Sequence, residues 1–83
     1  MNNKNRERNR QDRALKLLMY INERYMELST KTMTFNTDEL ATIFHNSAHN
    51  ILMLFSYLKK NKLLLSVDEK KIDGTWFVTI KIA

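Results

Sequence analysis

The sequence contains no cysteine and no proline, and it has a single glycine in 83 residues. Without cysteine the chain can form neither a disulfide bond nor a thiolate metal site, which fits a reducing compartment, and we expect a cytoplasmic protein. No apolar run reaches the roughly 20 residues that cross a bilayer. Residues 14–21 are apolar except for Lys16, but no small-residue cleavage site follows them. We therefore expect neither a membrane span nor a signal peptide.

Positive charge is in excess and is unevenly distributed. Lys and Arg number 14 against 9 Asp and Glu, which gives a formal net charge of +5. Such an excess favours an anionic partner, for which nucleic acid is the usual candidate. Residues 1–13 hold five basic and two acidic residues, so they carry +3 of this charge and the rest of the chain only +2.

The first eleven residues contain no apolar side chain after the initial Met, so they cannot join a core. We expect a flexible basic arm, or a frayed helix start, at residues 1–11, followed by one small domain at residues 12–83. The arginines Arg6, Arg8 and Arg10 either contact the phosphates or the minor groove of DNA, or they only keep the terminus solvated.

Residues 12–28 are typical of an amphipathic helix, with Asp12 as its cap unless the arm extends the helix backwards. One apolar stripe at helical spacing predicts the buried face: Ala14, Leu17, Leu18, Ile21, Tyr25 and Leu28. A second stripe, Leu15, Met19 and Met26, lies about a third of a turn away. It predicts either a homodimer contact through this helix or a face that the sheet or C-terminal segment covers within the monomer.

Two stretches have the two-residue period of β-strands. Alternation of Met33 and Phe35 with threonines predicts a short strand or extended connector near residues 32–35. At the C-terminus, Asp73-Gly74 separates two β-rich runs and predicts a two-residue hairpin turn, because both turn positions need positive φ. The turn sets a register in which Ile72 faces Thr75. The same register places a set of apolar residues on one face, namely Leu65, Val67, Val78, Ile80 and Ile82.

Between these stretches, residues 37–64 predict a helix, a turn at Asn46-Ser47, a second helix over 47–60 and the entry to a strand. Asn36 or Thr37 can cap the first helix, Asn46 can take the left-handed conformation that ends it, and Ser47 can cap the second. The apolar positions of the first helix are Leu40, Ala41, Ile43 and Phe44. The second helix turns Ala48, Ile51, Leu52, Phe55 and Leu58 inward, and His49, Asn50, Met53, Ser56, Tyr57 and Lys60 outward.

This order of elements resembles winged helix-turn-helix domains, in particular the repressors of the MarR and ArsR families. The matching residues are Thr37, Glu39-Leu40-Ala41, Ser47, Leu58 and Leu63-Leu64. The resemblance implies an α+β fold of three helices with a C-terminal two-stranded hairpin, the wing, and a short strand near residues 32–35. The chain departs from the family at Lys62, where Gly is usual. It also has no Arg on the outward face, so the common contact of Arg with guanine is lacking there.

The resemblance also implies a function and a set of contacts. The chain is expected to bind double-stranded DNA as a small transcriptional regulator, with helix 47–60 in the major groove and the hairpin at residues 68–76 and the arm on the backbone. Asn50 would pair with an adenine edge and Met53 with a thymine methyl. The full set of expected DNA contacts is Ser47, His49, Asn50, Met53, Ser56, Tyr57, Lys59, Lys60, Lys70 and Lys71, together with Arg6, Arg8 and Arg10 of the arm.

Other chemistries have little support in the sequence. His45 and His49 have zinc-ligand spacing, but the turn between them breaks that geometry and no Cys is present. Ser47 beside His49 lacks an oxyanion loop or a glycine elbow. We therefore expect no enzyme activity, no cofactor and no metal. The alternative function is a winged helix that contacts protein inside a replication, recombination or phage-regulatory complex.

Overall fold

Three helices and a three-stranded antiparallel sheet build the domain. The computed structural model describes residues 3–83, and side chains from Arg8 onward. The elements are α1 (Asn3–Leu28), β1 (Thr32–Asn36), α2 (Thr37–Ile43), α3 (Ala48–Lys60), β2 (Ser66–Ile72) and β3 (Thr75–Lys81). The predicted α+β class is confirmed. The strand predicted near residues 32–35 is β1, and because it pairs with β3 the sheet has the order β1-β3-β2 rather than being a hairpin of two strands.

Helix α1 begins at Asn3, well before the start that we expected near residue 12. The stretch from Asn3 to Gln11 contains Arg, Lys, Glu and Gln, which favour helix, and neither Gly nor Pro interrupts it. Once packed residues have formed the first turns, adding exposed turns to a helix is inexpensive. Asp12 therefore lies inside the helix and does not cap it.

All three helices end on a residue other than glycine in the left-handed conformation. These residues are Ser29 (φ 55°), His45 (φ 51°) and Lys62 (φ 62°). At the second helix end the prediction was wrong in detail, because His45 and not Asn46 has the positive φ. The Asn46 N–H closes the turn by donating to the Ala41 carbonyl at 2.8 Å. After α3, the N–H of Leu63 donates in the same way to the Leu58 carbonyl at 2.9 Å.

The starts of α2 and α3 follow the predicted capping. The Asn36 side chain accepts from the N–H groups of Asp38 at 2.8 Å and Glu39 at 3.3 Å. Ser47 Oγ accepts from the Asn50 N–H at 3.1 Å. Each cap satisfies backbone donors that have no partner within the helix, so both boundaries are encoded locally.

The C-terminal hairpin has the predicted turn and register. Asp73 and Gly74 have φ values of 49° and 82°, and Ile72 pairs with Thr75 at the turn. Farther from the turn Val67 pairs with Ile80. The prediction fails at Leu65, which is 60% exposed. Strand β2 begins only at Ser66, so Leu65 belongs to the preceding loop and is not held on the inner face.

The core lies between the inner face of the sheet and the three helices. Its buried apolar residues are Ala14, Leu17, Ile21, Met33, Phe35, Leu40, Ile51, Leu54, Phe55, Leu58, Leu64, Val78, Ile80 and Ile82. Phe35 connects the layers, with ring centroids 6.1 Å from Tyr20 of α1 and 5.9 Å from Phe55 of α3. Leu28 and Ile43, which we expected among the apolar contacts, are mostly exposed because each lies at the last residue of its helix.

Candidate nucleic-acid interface

Helix α3 packs one side into the core and leaves the opposite side open. Ile51, Phe55 and Leu58 are fully buried. On the far side His49, Met53, Ser56 and Lys60 are all exposed, and Met53 retains 50% of its surface. These four residues are called the open face of α3 below. No other part of the described chain covers this face, so a partner can reach it.

A hydrogen-bond network fixes the side chain of Asn50 at the edge of the open face. Asn46 Oδ1 accepts from the Ser47 N–H at 2.9 Å, which identifies this atom as the oxygen of the amide. The same oxygen accepts from Asn50 Nδ2 at 2.7 Å. Asn50 therefore retains Oδ1 and one Nδ2 hydrogen, an acceptor and a donor, for an external ligand.

Helix α1 forms a wall beside the edge of α3 that carries Asn50. A groove of about 280 Å³ runs between the two helices and is called the α1–α3 groove below. Its lining residues are Asn9, Arg10, Arg13, Asn46, Asn50, Met53 and Leu54. Arg10, which we predicted as a DNA contact of the arm, therefore lies beside Asn50 and Met53, two predicted DNA contacts of α3. Arg13 was missed, because only the packing of α1 against α3 places it there.

Tyr57 lies apart from the other predicted contacts of α3. It is half-buried and lines a second, mainly apolar groove on the other side of α1. The residues of that groove are Gln11, Ala14, Leu15, Tyr57, Leu58, Asn61 and Leu63. Leu15 and Leu63 are the exposed apolar side chains that it contributes. The prediction that Tyr57 faces outward together with His49 and Met53 is therefore only partly correct.

The remaining basic side chains are exposed but point in several directions. Lys59 and Lys60 occupy the last turn of α3, where positive charge is favourable for the helix dipole. Arg8 does not line the α1–α3 groove, and two residues along a helix correspond to a rotation of about 200° from Arg10. The side chain of Arg6 lies outside the described residues.

The two hairpin lysines that we predicted as a pair lie on opposite faces of the sheet. Lys71 pairs across the strands with Trp76, and its Nζ lies 5.8 Å from the centre of the Trp76 ring. That places Lys71 on the face that packs against the helices. Lys70 pairs with Phe77 on the outer face, where Thr34 and Thr79 also lie and share a hydrogen bond of 2.9 Å. Only Lys71 is therefore on the same side of the sheet as α3.

A further groove, of about 350 Å³, follows edge strand β1 and includes none of the predicted contacts. At its rim Arg24 donates to the Tyr20 hydroxyl at 3.1 Å and to Glu27 at 2.8 Å. The hydrogen bond with the Tyr20 hydroxyl, and after it the one with Glu27, raise the pKa of Arg24 above its usual value. With its charge already partnered by Glu27, Arg24 is a structural residue of α1.

The predicted second stripe of α1 remains uncovered in the monomer. Met19 is 63% exposed and Met26 80% exposed, and Leu15 is more than half exposed. Neither the sheet nor the C-terminal segment lies over them, which removes the alternative that the monomer covers this stripe. Met19 also lines a shallow depression with Lys16, Glu23 and Ile43.

Within residues 8–83 no three His, Asp or Glu side chains come close enough together to hold a metal ion. Of the helices in the described part of the chain, none is long and apolar enough to span a bilayer. The sequence matches no protein-family model, no curated protein and no solved structure. The fold therefore defines the class only as a small α+β domain.

Proposed function

We propose that this chain is a winged helix-turn-helix protein that binds double-stranded DNA as a small transcriptional regulator. The order of elements, from α1 through β1, α2 and α3 to the β2–β3 hairpin, agrees with what the resemblance implies. In such domains the second helix of the helix-turn-helix enters the major groove. Here that helix is α3.

The observation that carries the proposal is the open face of α3 beside two arginines of α1. Asn50 at the edge of the face is available for base edges and Lys60 on the face for phosphates, and Arg10 and Arg13 line the adjoining groove. Phosphate contacts supply affinity by releasing condensed counterions, and contacts to base edges supply sequence preference. Both kinds of group are present on the same side of the molecule.

The hairpin would contact the DNA backbone through Lys71 more than through Lys70. Lys71 lies on the same side of the sheet as α3, and its position near the Trp76 ring restricts the otherwise flexible side chain. Lys70 faces away with the outer surface of the sheet. Of the two lysines that the sequence predicts as wing contacts, only Lys71 is therefore expected to reach the DNA backbone.

The test is salt-titrated binding of the whole chain to random-sequence duplex DNA. We expect affinity to fall steeply with salt, and the double change Lys60→Ala and Lys71→Ala to reduce the slope of log K against log [salt] by about 2. Lys31→Ala with Lys81→Ala is the matched control, since it removes the same charge at exposed positions that belong neither to the open face of α3 nor to the α1–α3 groove. Equal effects of the two pairs would contradict a contact localised at α3 and the hairpin.

Deletion of residues 1–11 provides a separate outcome of the same assay. If the deletion abolishes binding while Lys60→Ala with Lys71→Ala leaves it untouched, only the N-terminal turns of α1 contact the DNA. That result would contradict the docking of α3 in the major groove, because Lys60 lies on the open face.

A homodimer through α1 is the second part of the proposal. The uncovered stripe of Leu15, Met19 and Met26 is an exposed apolar surface on a small domain. Pairing with a second copy would bury it, and a two-fold pair presents two α3 helices to two half-sites of DNA. The stripe lies on the opposite side of α1 from Arg10 and Arg13, so dimerisation and DNA contact do not compete for the same surface.

A protein-contact module is the second candidate function, and the apolar groove beside Tyr57 favours it. Leu15, Tyr57 and Leu63 there could receive an apolar side chain of a partner protein. The salt titration separates the two functions. A chain whose affinity for random duplex is negligible even at low salt would favour the protein-contact function and contradict the regulator.

A further inference from the structure

We infer that the α1–α3 groove is a phosphate-binding channel that holds one strand of the bound nucleic acid through Arg10 and Arg13. The inference rests on the proposed function and deepens it, because it adds Arg13 to the contacts and separates Arg10 from Arg8. It also assigns a role to Arg10, which the sequence predicted as part of a terminal arm, and to Arg13, which it predicted only as a residue of the helix over 12–28.

The chemistry of the lining matches a phosphodiester. One wall carries two guanidinium groups and the other carries the amides of Asn46 and Asn50, and none of the described side chains that line the groove is acidic. Guanidinium donates paired hydrogen bonds to phosphate oxygens with suitable planar geometry. The only ion pair among the described side chains joins Arg24 to Glu27, at a distant part of α1.

The spacing of the two arginines suits neighbouring phosphates. They are three residues apart, so they lie on the same side of α1 and are separated by about 4.5 Å along the helix axis. Flexible side chains can extend this separation to consecutive phosphates of a strand. The groove is partly open to solvent, and Met53 of the open face is one of its lining residues. A strand that crosses the open face therefore continues into the groove.

The position of the amides explains how backbone and bases are contacted together. Asn50 lines the groove, yet its hydrogen bond to Asn46 holds its free oxygen and remaining hydrogen in one orientation. A phosphate bound by Arg10 and Arg13 would fix the register of the strand relative to this amide. Phosphate contacts position a protein on the duplex in this way, and base contacts then specify.

The experiment compares charge-matched variants of α1 in the full-length chain. Arg10→Ala and Arg13→Ala are each expected to reduce the salt slope of duplex binding by about 1, and the double variant by about 2. Arg8→Ala removes the same charge from the same helix but outside the groove, and we expect a change well below that of Arg10→Ala. Arg10→Lys keeps the charge, so its salt slope should stay close to that of the wild type while its affinity falls through loss of the paired hydrogen bonds.

The possible failures are distinguishable. If the wild type binds duplex DNA and Arg10→Ala with Arg13→Ala affects the slope no more than Arg8→Ala does, the groove inference is wrong while the role of α3 stands. If the wild type shows no salt-dependent binding, the proposed function fails and the groove inference fails with it. Both arginines are exposed, so unfolding curves of the variants should match the wild type and exclude a folding defect.

Discussion

Lys62 has a left-handed backbone at the end of α3, where the winged-helix families that the sequence resembles usually have glycine. Side chains other than glycine pay about 1–2 kcal/mol in this conformation, because Cβ approaches the following carbonyl oxygen. The Lys62 N–H still donates to the Lys59 carbonyl at 2.9 Å, so the helix closes with normal hydrogen bonds despite the strain. A residue other than glycine at this position therefore lowers the stability of the domain but leaves the geometry of the helix end intact.

We expect Lys62→Gly to stabilise the domain by about 1 kcal/mol, because glycine removes the strain but loses more backbone entropy on folding. Urea unfolding measures the change. Lys60→Gly is the matched control: it makes the same exchange two residues earlier, at the last helical residue of α3, and should destabilise by up to about 1 kcal/mol. A loss of stability in both variants would show that Lys62 does not have a positive φ.

Thr37 connects two elements, and it is the buried polar side chain of the described core. Strand β1 ends opposite Phe77, so Trp76, the neighbouring residue of β3, has no β1 partner. Thr37 Oγ1 donates to the Trp76 carbonyl at 2.9 Å and satisfies it. The first residue of α2 therefore extends the hydrogen bonding of the sheet beyond the end of β1.

Thr37→Val keeps the shape of this contact and removes the donor. We expect the free energy of unfolding to fall by about 1–2 kcal/mol, because the Trp76 carbonyl loses its partner in a part-buried place that water reaches only incompletely. Thr32→Val, at an exposed position of β1, is the control and should change stability by less than about 0.5 kcal/mol. Similar values for the two variants would contradict a structural role for the Thr37 hydroxyl.

Helices, strands and turns are predictable from the sequence where the residues that determine them lie close together along the chain. Asn36, Ser47 and the Asp73-Gly74 turn act within a few residues, and the caps and the register that they predict are confirmed. The buried side of α3 follows from helical period alone. The pairing of β1 with β3 joins residues more than 40 positions apart, and no local pattern determines it.

The candidate site shows the same division. The exposure of His49, Met53, Ser56 and Lys60 follows from the period of α3, so the sequence predicts it. The approach of Arg10 and Arg13 to Asn50 depends on how α1 packs against α3, which periodicity leaves open. The faces of Lys70 and Lys71 follow from the register, yet their neighbouring positions in the sequence suggested a single basic tip.

At the scale of the whole molecule, the uncovered stripe of α1 predicts a homodimer whose orientation can be tested. Lys16 and Glu23 flank Met19 in one shallow depression, one towards each end of the stripe. In an antiparallel pair with a two-fold axis near the middle of this segment, Lys16 of one copy lies opposite Glu23 of the other. A parallel pair places the two lysines at one level and the two glutamates at another, where like charges repel. Charge complementarity therefore favours the antiparallel pair.

We expect the chain, with a monomer mass of 9.9 kDa, to approach about 20 kDa with rising concentration in sedimentation equilibrium. Met19→Glu should hold it at the monomer mass, because burying a carboxylate in an apolar contact is unfavourable. Ile72→Glu, at an exposed apolar residue of the hairpin, is the control and should leave the dimer intact. A wild type that stays monomeric at submillimolar concentration would contradict the homodimer.

Charge exchange then tests the orientation of the pair. Lys16→Glu or Glu23→Lys alone places like charges opposite each other across the antiparallel contact, so each should weaken dimerisation. The double exchange restores opposite charges and should recover the wild-type dissociation constant to within about threefold, since exposed ion pairs contribute well under 1 kcal/mol each. In a parallel pair the double exchange restores nothing, because each position again meets its own charge. Weaker dimerisation in each single variant, together with wild-type dimerisation in the double variant, is therefore specific to the antiparallel arrangement of two α1 helices.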